Sequence, residues 1–270
     1  MLGLRSPAFV ARLGEAGFAF DPASLFAASE PGAWLDPSDP ATLFSDTAGT
    51  TQAGIGDPVA LVLDKSGNGN HATQPTLASR PILRESDGLR YLELDGVDDF
   101  LFTPTITPGT DKVHVFAGAR ALVDQSGVII GHGSGAFNDS GTVIFWRSPG
   151  VPVRYRFRAV IQQGGDTNQR DTTNPDFTAP HSAVLAGSTA AGGQSVFRVN
   201  GSVVDEDASV GSGNYAPQPA FVGGRNDDGT IRNFFNGNVY SLITRFGPNL
   251  DDPTIERTER YVAKRTGVSL

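Results

Sequence analysis

The chain has 270 residues and no cysteine, which excludes disulfides and thiolate metal sites. Its formal charge is −8, from 21 basic and 29 acidic residues without a basic block, which argues against nucleic acid as a partner. With 33 glycines and 18 prolines the sequence is punctuated too often for a helical protein and favours many short strands joined by turns.

Residues 1–30 read as a separate segment. Phe9, Val10, Leu13 and Phe18 suggest one short amphipathic helix. Arg5, Pro7, Arg12 and Glu15 interrupt any apolar core of signal-peptide type. No apolar run reaches the roughly 20 residues that would span a bilayer, so membrane insertion is not expected. The absence of cysteine fits synthesis in a reducing cytoplasm. The segment is expected either to dock on its own domain or to attach the chain to a partner, with one domain following over 31–270.

Residues 31–58 are rich in Pro and Gly and read as irregular, with Trp34, Leu35, Leu43 and Phe44 tucked under a sheet. From residue 59 the pattern is β. Strands are expected at 59–63, 89–94, 99–103, 113–120, 127–131, 142–147, 153–160, 182–187, 195–199, 202–205, 219–223 and 237–246. The clearest alternation lies in VRYRFR, where Val153, Tyr155 and Phe157 point one way and Arg154, Arg156 and Arg158 the other. Asn200-Gly201 separates two apolar runs, and that pair favours a type I′ hairpin turn. One helix closes the chain: Asp251, Asp252 and Pro253 mark its start, Lys264, Arg265 and Gly267 its end. Ile255, Thr258 and Val262 form its buried stripe, and Val268 and Leu270 dock the tail. The fold class is all-β, an antiparallel two-sheet sandwich with a C-terminal helix.

Three constellations could carry chemistry. In DKSGNGNHAT, Asp64, Ser66 and Asn68 stand at positions 1, 3 and 5 of an EF-hand-like loop, followed by Gly69. The second half is missing, because Pro75 stands where a bidentate Glu belongs. A calcium site would draw on acids from elsewhere, with Asp95, Asp98 and Asp99 available. The competing reading is an Asx-turn closed by the loop's own side chains. Second, Glu93-Leu94-Asp95-Gly96-Val97-Asp98 resembles the paired-carboxylate strand of jelly-roll glucanases. Here the last acid is one methylene short, and Gly96 breaks the strand before Asp98. Third, Arg154, Arg156 and Arg158 share one strand face in an acidic chain, with Trp146 and Arg147 in the preceding strand. Guanidinium forks suit carboxylate or sulfate, and an indole suits the C–H face of a sugar. The alternative is a solvated outer face with internal ion pairs. His71, His114, His132 and His181 are scattered, which gives no zinc spacing. GHGSG at 131–135 mismatches a nucleophile elbow, and GGRNDDG at 223–229 reads as a surface turn.

DKSGNGNHAT, then LDGVDDF at 94–100, then FRVNG at 197–201, resembles in order and spacing the laminin-G-like domains of the concanavalin A-like jelly-roll superfamily. PGAWLDPSD at 31–39, LFSD at 43–46, DKSGNGNH at 64–71 and ERYVAKRTGV at 259–268 look like tailed-phage virion proteins that carry this domain. The resemblance covers about residues 31–270. It implies a two-sheet jelly roll used for binding, often of glycans, sometimes with calcium at one rim. No fixed catalytic set travels with it, so a non-enzymatic role is expected.

The expected function is therefore a phage fibre, spike or tail component that binds host surface carbohydrate. Arg154, Arg156, Arg158 and Trp146 are the candidate ligand residues. Asp64, Asn68 and Asp98 are the candidate calcium ligands. Residues 1–30 would hold other virion proteins. Weak single-site sugar binding favours a homo-oligomer, with a trimer as one form, since linked copies gain roughly 10²–10⁴ in avidity. The alternatives are a purely structural virion protein and a polysaccharide-degrading enzyme.

Overall fold

The computed structural model describes residues 20–133, 142–148, 154–160, 169–171, 177–189, 194–208 and 213–270. Two antiparallel sheets face each other. The first runs, in spatial order, Ser202–Ala208, Gln194–Val199, His181–Thr189, Val113–Ala121, Asn236–Phe246, Leu89–Asp95, Ile82–Ser86. Gly32–Leu35 adds to Asn236–Phe246 beyond the end of Leu89–Asp95. The second runs Gln169–Asp171, Arg154–Val160, Thr142–Ser148, Gly127–His132, Gln218–Val222, Leu101–Ile106, Ala72–Thr73, Leu61–Val62, Leu43–Phe44. Arg225–Asp227 and Thr230–Arg232 form a separate hairpin.

The gap between the sheets is filled by alternate residues from both. Val115, Ala117, Leu185, Phe197 and Leu242 come from the first sheet, and Phe145, Tyr155, Phe157, Ile129 and Leu101 from the second. Phe145, Phe157 and Phe197 meet across the gap, with ring centroids 5.1 to 6.1 Å apart. The contact is close enough that a Cβ on Gly187 would lie 2.6 Å from the Phe157 ring. This is the two-residue period at work: the side chains that fill the gap fix the opposite face of each strand.

The outer face of the first sheet carries a second apolar layer. Trp34, Phe116, Val184 and Ile243 lie under Val262 and Ala263 of the helix Asp252–Thr266, and Leu25 and Phe26 join them. The helix is stapled at both ends as expected. The Asp251 carboxylate accepts the Thr254 N–H at 3.0 Å, and Gly267 takes a left-handed φ of 71°. Its buried stripe holds Thr258, Glu259 and Val262, with Ile255 at the margin. Glu259 is buried because Arg198 grips both its oxygens. Val268 docks as expected, but Leu270 stays half exposed.

Several elements were not expected. Gly32–Leu35 is a strand rather than an irregular run, and all four residues are buried, so no alternation betrays it. Leu43–Phe44 and Ala72–Thr73 are too short to show a period, and Ile82–Ser86 and Gln169–Asp171 escape notice as edge strands. The turn expected at 223–229 is the start of a hairpin. The Asn200-Gly201 hairpin is present, with φ of 50° and 78°. The helix expected around Phe9, Val10, Leu13 and Phe18 lies outside the described residues. Residues 20–30 pack on the sandwich, where Arg245 donates to the Leu25 carbonyl and pairs with Glu30.

Truncation should reveal the alternation. Phe157→Ala is expected to cost about 3–5 kcal/mol in urea unfolding, and Arg156→Ala, one position away, about 1 kcal/mol or less.

Candidate functional site

The strand Arg154–Val160 sends Tyr155, Phe157 and Ala159 into the gap, so Arg154, Arg156 and Arg158 stand on the outer face of the second sheet. Its neighbour Thr142–Ser148 pairs in register, placing Ile144 opposite Arg158, Trp146 opposite Arg156 and Ser148 opposite Arg154. The Arg156 guanidinium lies 5.7 Å from the Trp146 ring centroid, a cation–π contact. Trp146 itself is only 6% exposed and packs with Val128 and Ile144. The indole is thus a base under the guanidinium rather than an open stacking platform. Arg154 and Arg156 are half-buried, while Arg158 is buried. Burial first, then the nearby Arg225 guanidinium, pull the Arg158 pKa below its usual value. Arg225 sits over the same face beside Gly131 and is itself held by Asn233 and Asp227. Arg147 departs from the expected grouping. It turns to the inner side, where it reaches Asp124 and the Phe177 carbonyl and lies 5.4 Å from the Tyr155 ring centroid.

The loop DKSGNGNHAT is a clasp. The buried Asp64 carboxylate accepts four protein donors: the N–H groups of Trp34, Ser66 and Asn70, and the Ser66 hydroxyl, at 2.7 to 2.9 Å. Asn68 and Asn70 donate to the Gly32 carbonyl, and Asn68 also to Glu30. Lys65 lies over the Trp34 ring and pairs with Asp39. The loop therefore ties the strand Gly32–Leu35 in place. Its carboxylate sits at the centre of its own Asx-turn.

Among the described residues, the acids that gather are Asp95, Asp98 and Asp99, whose ligand oxygens lie within 4.8 Å of one another. Asp98 thus belongs with Asp95 and Asp99, and Asp64 is not in the group. Each member uses one oxygen on the turn. Asp95 accepts the Val97 and Asp98 N–H groups, Asp98 the Ser79 hydroxyl, and Asp99 the Asp95 N–H. One carboxylate oxygen from each, gathered this closely, suits a hard divalent cation. Asp99 is buried, and that burial, with the charges of Asp95, Asp98 and Glu93, pushes its pKa up to about 7. Glu93 pairs with Arg84 across the edge strand, and Asp98 lies in the turn after Gly96. The histidines stay apart. His114 and His132 are buried, and burial pushes their pKa values down to about 3 and about 4.

No family model and no curated protein matches the chain. Solved structures share its fold. The binding domain of botulinum neurotoxin DC, in complex with rat synaptotagmin II, superposes with a TM-score of 0.57 at 12% identity, covering 86% of this chain and 52% of that one. Botulinum neurotoxin type C, whose cell entry is dependent upon interaction with two ganglioside molecules, gives 0.56 at 11%, covering 86% and 51%. The binding domain of Paraclostridial Mosquitocidal Protein 1 gives 0.55 at 11%, covering 74% and 49%. The chain spans about half the length of these matched chains. At such identity the likeness is one of fold: the chain is an antiparallel two-sheet jelly-roll sandwich with a C-terminal helix.

The Asp99 shift has a testable sign. A folded pKa of about 7 lies above the free value of 3.8, so folding favours the protonated acid. Stability from this group is complete below the free value and is lost as pH rises through 7. Asp99→Asn, which imitates the protonated acid, should raise the melting temperature at pH 8 and leave it little changed at pH 4.

Proposed function

We propose that this chain is the lectin-like recognition module of a tailed-phage virion protein, a fibre, spike or tail component, and that it binds acidic carbohydrate on a host surface. The observation that carries the reading is the outer face of the second sheet. Arg154, Arg156 and Arg158 project from one strand, Trp146 braces Arg156, and Arg225 lies close by, in a chain whose net charge is −8. Cations gathered on one face of an acidic protein attract an anion, and a guanidinium fork matches a carboxylate or sulfate. Among the structures of the same fold, one neurotoxin depends on gangliosides for entry and another is in complex with SialylT. The virion setting rests on the motifs at 31–39, 43–46, 64–71 and 259–268.

In this reading residues 1–30 anchor the module to other virion proteins, and several copies, as in a trimer, supply avidity. A calcium ion would be held by Asp95, Asp98 and Asp99, where it would brace the turn between two strands of opposite sheets.

A glycan array separates the readings. Sialylated or sulfated glycans should bind, and Arg156→Glu should weaken binding at least about tenfold, the equivalent of 1.4 kcal/mol. Raised salt should weaken it as well. No glycan binding together with tight assembly onto virion partners would favour a structural role. For the cation, calcium at pH 8 should raise the melting temperature of the wild-type chain and leave that of Asp99→Asn unchanged.

A further inference from the structure

The second sheet has another outer surface at its opposite end. Leu43, Val62, Ala72 and Leu101 face the gap, so Phe44, Leu61, Thr73 and Phe102 face outward. The register pairs them in one row: Phe44 with Leu61, Leu61 with Thr73, Thr73 with Phe102. This row floors an open groove of about 540 Å³. In sheet order its nearest strand, Leu101–Ile106, is separated from Arg154–Val160 by three strands, Thr142–Ser148, Gly127–His132 and Gln218–Val222.

The groove's chemistry is specific. No charged side chain lines it. Its floor is aromatic and aliphatic, and Phe102 is held by stacking on Phe100 and Phe221 at centroid distances of 6.2 Å. Three polar groups line it that have no partner among the described residues: the hydroxyls of Thr47 and Thr73, and Nε2 of His71. The tautomer of His71 is fixed. Its Nδ1 accepts the Asp64 N–H at 3.0 Å, so the neutral ring carries its proton on Nε2 and offers a donor.

Both loops that wall the groove are built before any ligand arrives. One is the Asp64 clasp. The other spans 46–51, where the Asp46 carboxylate accepts the N–H groups of Ala48, Thr50 and Thr51 and the Thr50 hydroxyl. Those backbone and side-chain donors hold the Asp46 pKa down to about 2.

We infer that this groove is a second binding site and that its ligand is an uncharged saccharide ring. A charged ligand would find no counter-charge there. A purely apolar ligand would cover three polar groups without pairing them, which is unfavourable. A neutral sugar satisfies both demands: its C–H face lies on Phe44, Leu61 and Phe102, and its hydroxyl edge meets the His71 donor and the two threonine hydroxyls. The saccharide class rests on the glycan reading above. The groove and its polarity do not.

The test is an amide-shift titration of the full chain by NMR, with maltotriose, lactose and chitobiose as neutral probes and sialyllactose as the anionic one. The neutral sugars should move the amides of Gly49, Gly69 and Thr73. Thr73→Val, which keeps the shape and removes the hydroxyl, should weaken that binding about 3- to 10-fold. Arg156→Glu and added salt should not. If the neutral sugars leave those amides unmoved, or Thr73→Val binds with full affinity, the site is wrong. Sialyllactose binding at the arginine face with the groove silent would overturn this inference and leave the glycan reading standing. The reverse pattern would uphold the groove and overturn the arginine face.

Discussion

The two-residue period of a single strand links the interior of this protein to its outer face. Tyr155, Phe157 and Ala159 must enter the gap, because Phe145 and Phe197 close around Phe157 and leave room for a hydrogen but not a methyl at Gly187. Arg154, Arg156 and Arg158 have no other place than outside. A slip of one residue would drive three guanidinium groups into an apolar layer, at a desolvation cost that no partner there offsets. The same rule works at the far end of the sheet, where Leu43, Val62, Ala72 and Leu101 are inside and a row of rings and a hydroxyl is left outside. One core therefore presents two outer surfaces of different character, one cationic and one neutral.

The remaining order comes from carboxylates used as local anchors. The Asp64 carboxylate draws four donors around itself and so fixes the strand Gly32–Leu35, while the backbone N–H of Asp64 donates to His71 Nδ1. Asp36, fully buried, takes the Tyr261 hydroxyl at 2.6 Å and the Arg265 guanidinium at 3.1 Å, tying the C-terminal helix to the segment that follows that strand. Arg265 in turn lies over the Tyr261 ring. Without disulfides, these buried polar joints hold the short strands and the helix on the sandwich.

Much of this was legible in the sequence. The alternation of VRYRFR, the Asn-Gly hairpin and the helix with acid at its start and Gly past its end each contain their own physical signal. What escaped notice lacked one. Gly32–Leu35 is buried throughout and pairs with residues near the other end of the chain, so neither periodicity nor local turn chemistry marks it. Leu43–Phe44 and Ala72–Thr73 are two-residue strands, and the row they share with Leu61–Val62, which lies within the strand expected at 59–63, exists only in the folded sheet. The Asp64 loop was ambiguous for a different reason. An Asx-turn and a cation loop both need an oxygen aimed inward, and only the identity of the donors around it separates them. The acids that do gather, Asp95, Asp98 and Asp99, lie within five residues of sequence, yet their crowding depends on the tight turn at Gly96, whose φ is 77°.

Because the chain has no native cysteine, a single introduced thiol reports on one position at a time. The most direct measurement is the labelling rate of Arg154→Cys, Arg156→Cys and Ala159→Cys with a soluble maleimide, with and without a sialylated glycan. The account predicts that the first two label quickly and are protected by the glycan, and that the third labels only on unfolding. Rapid labelling at position 159, or no protection at 154 and 156 by an acidic glycan that binds, would contradict it.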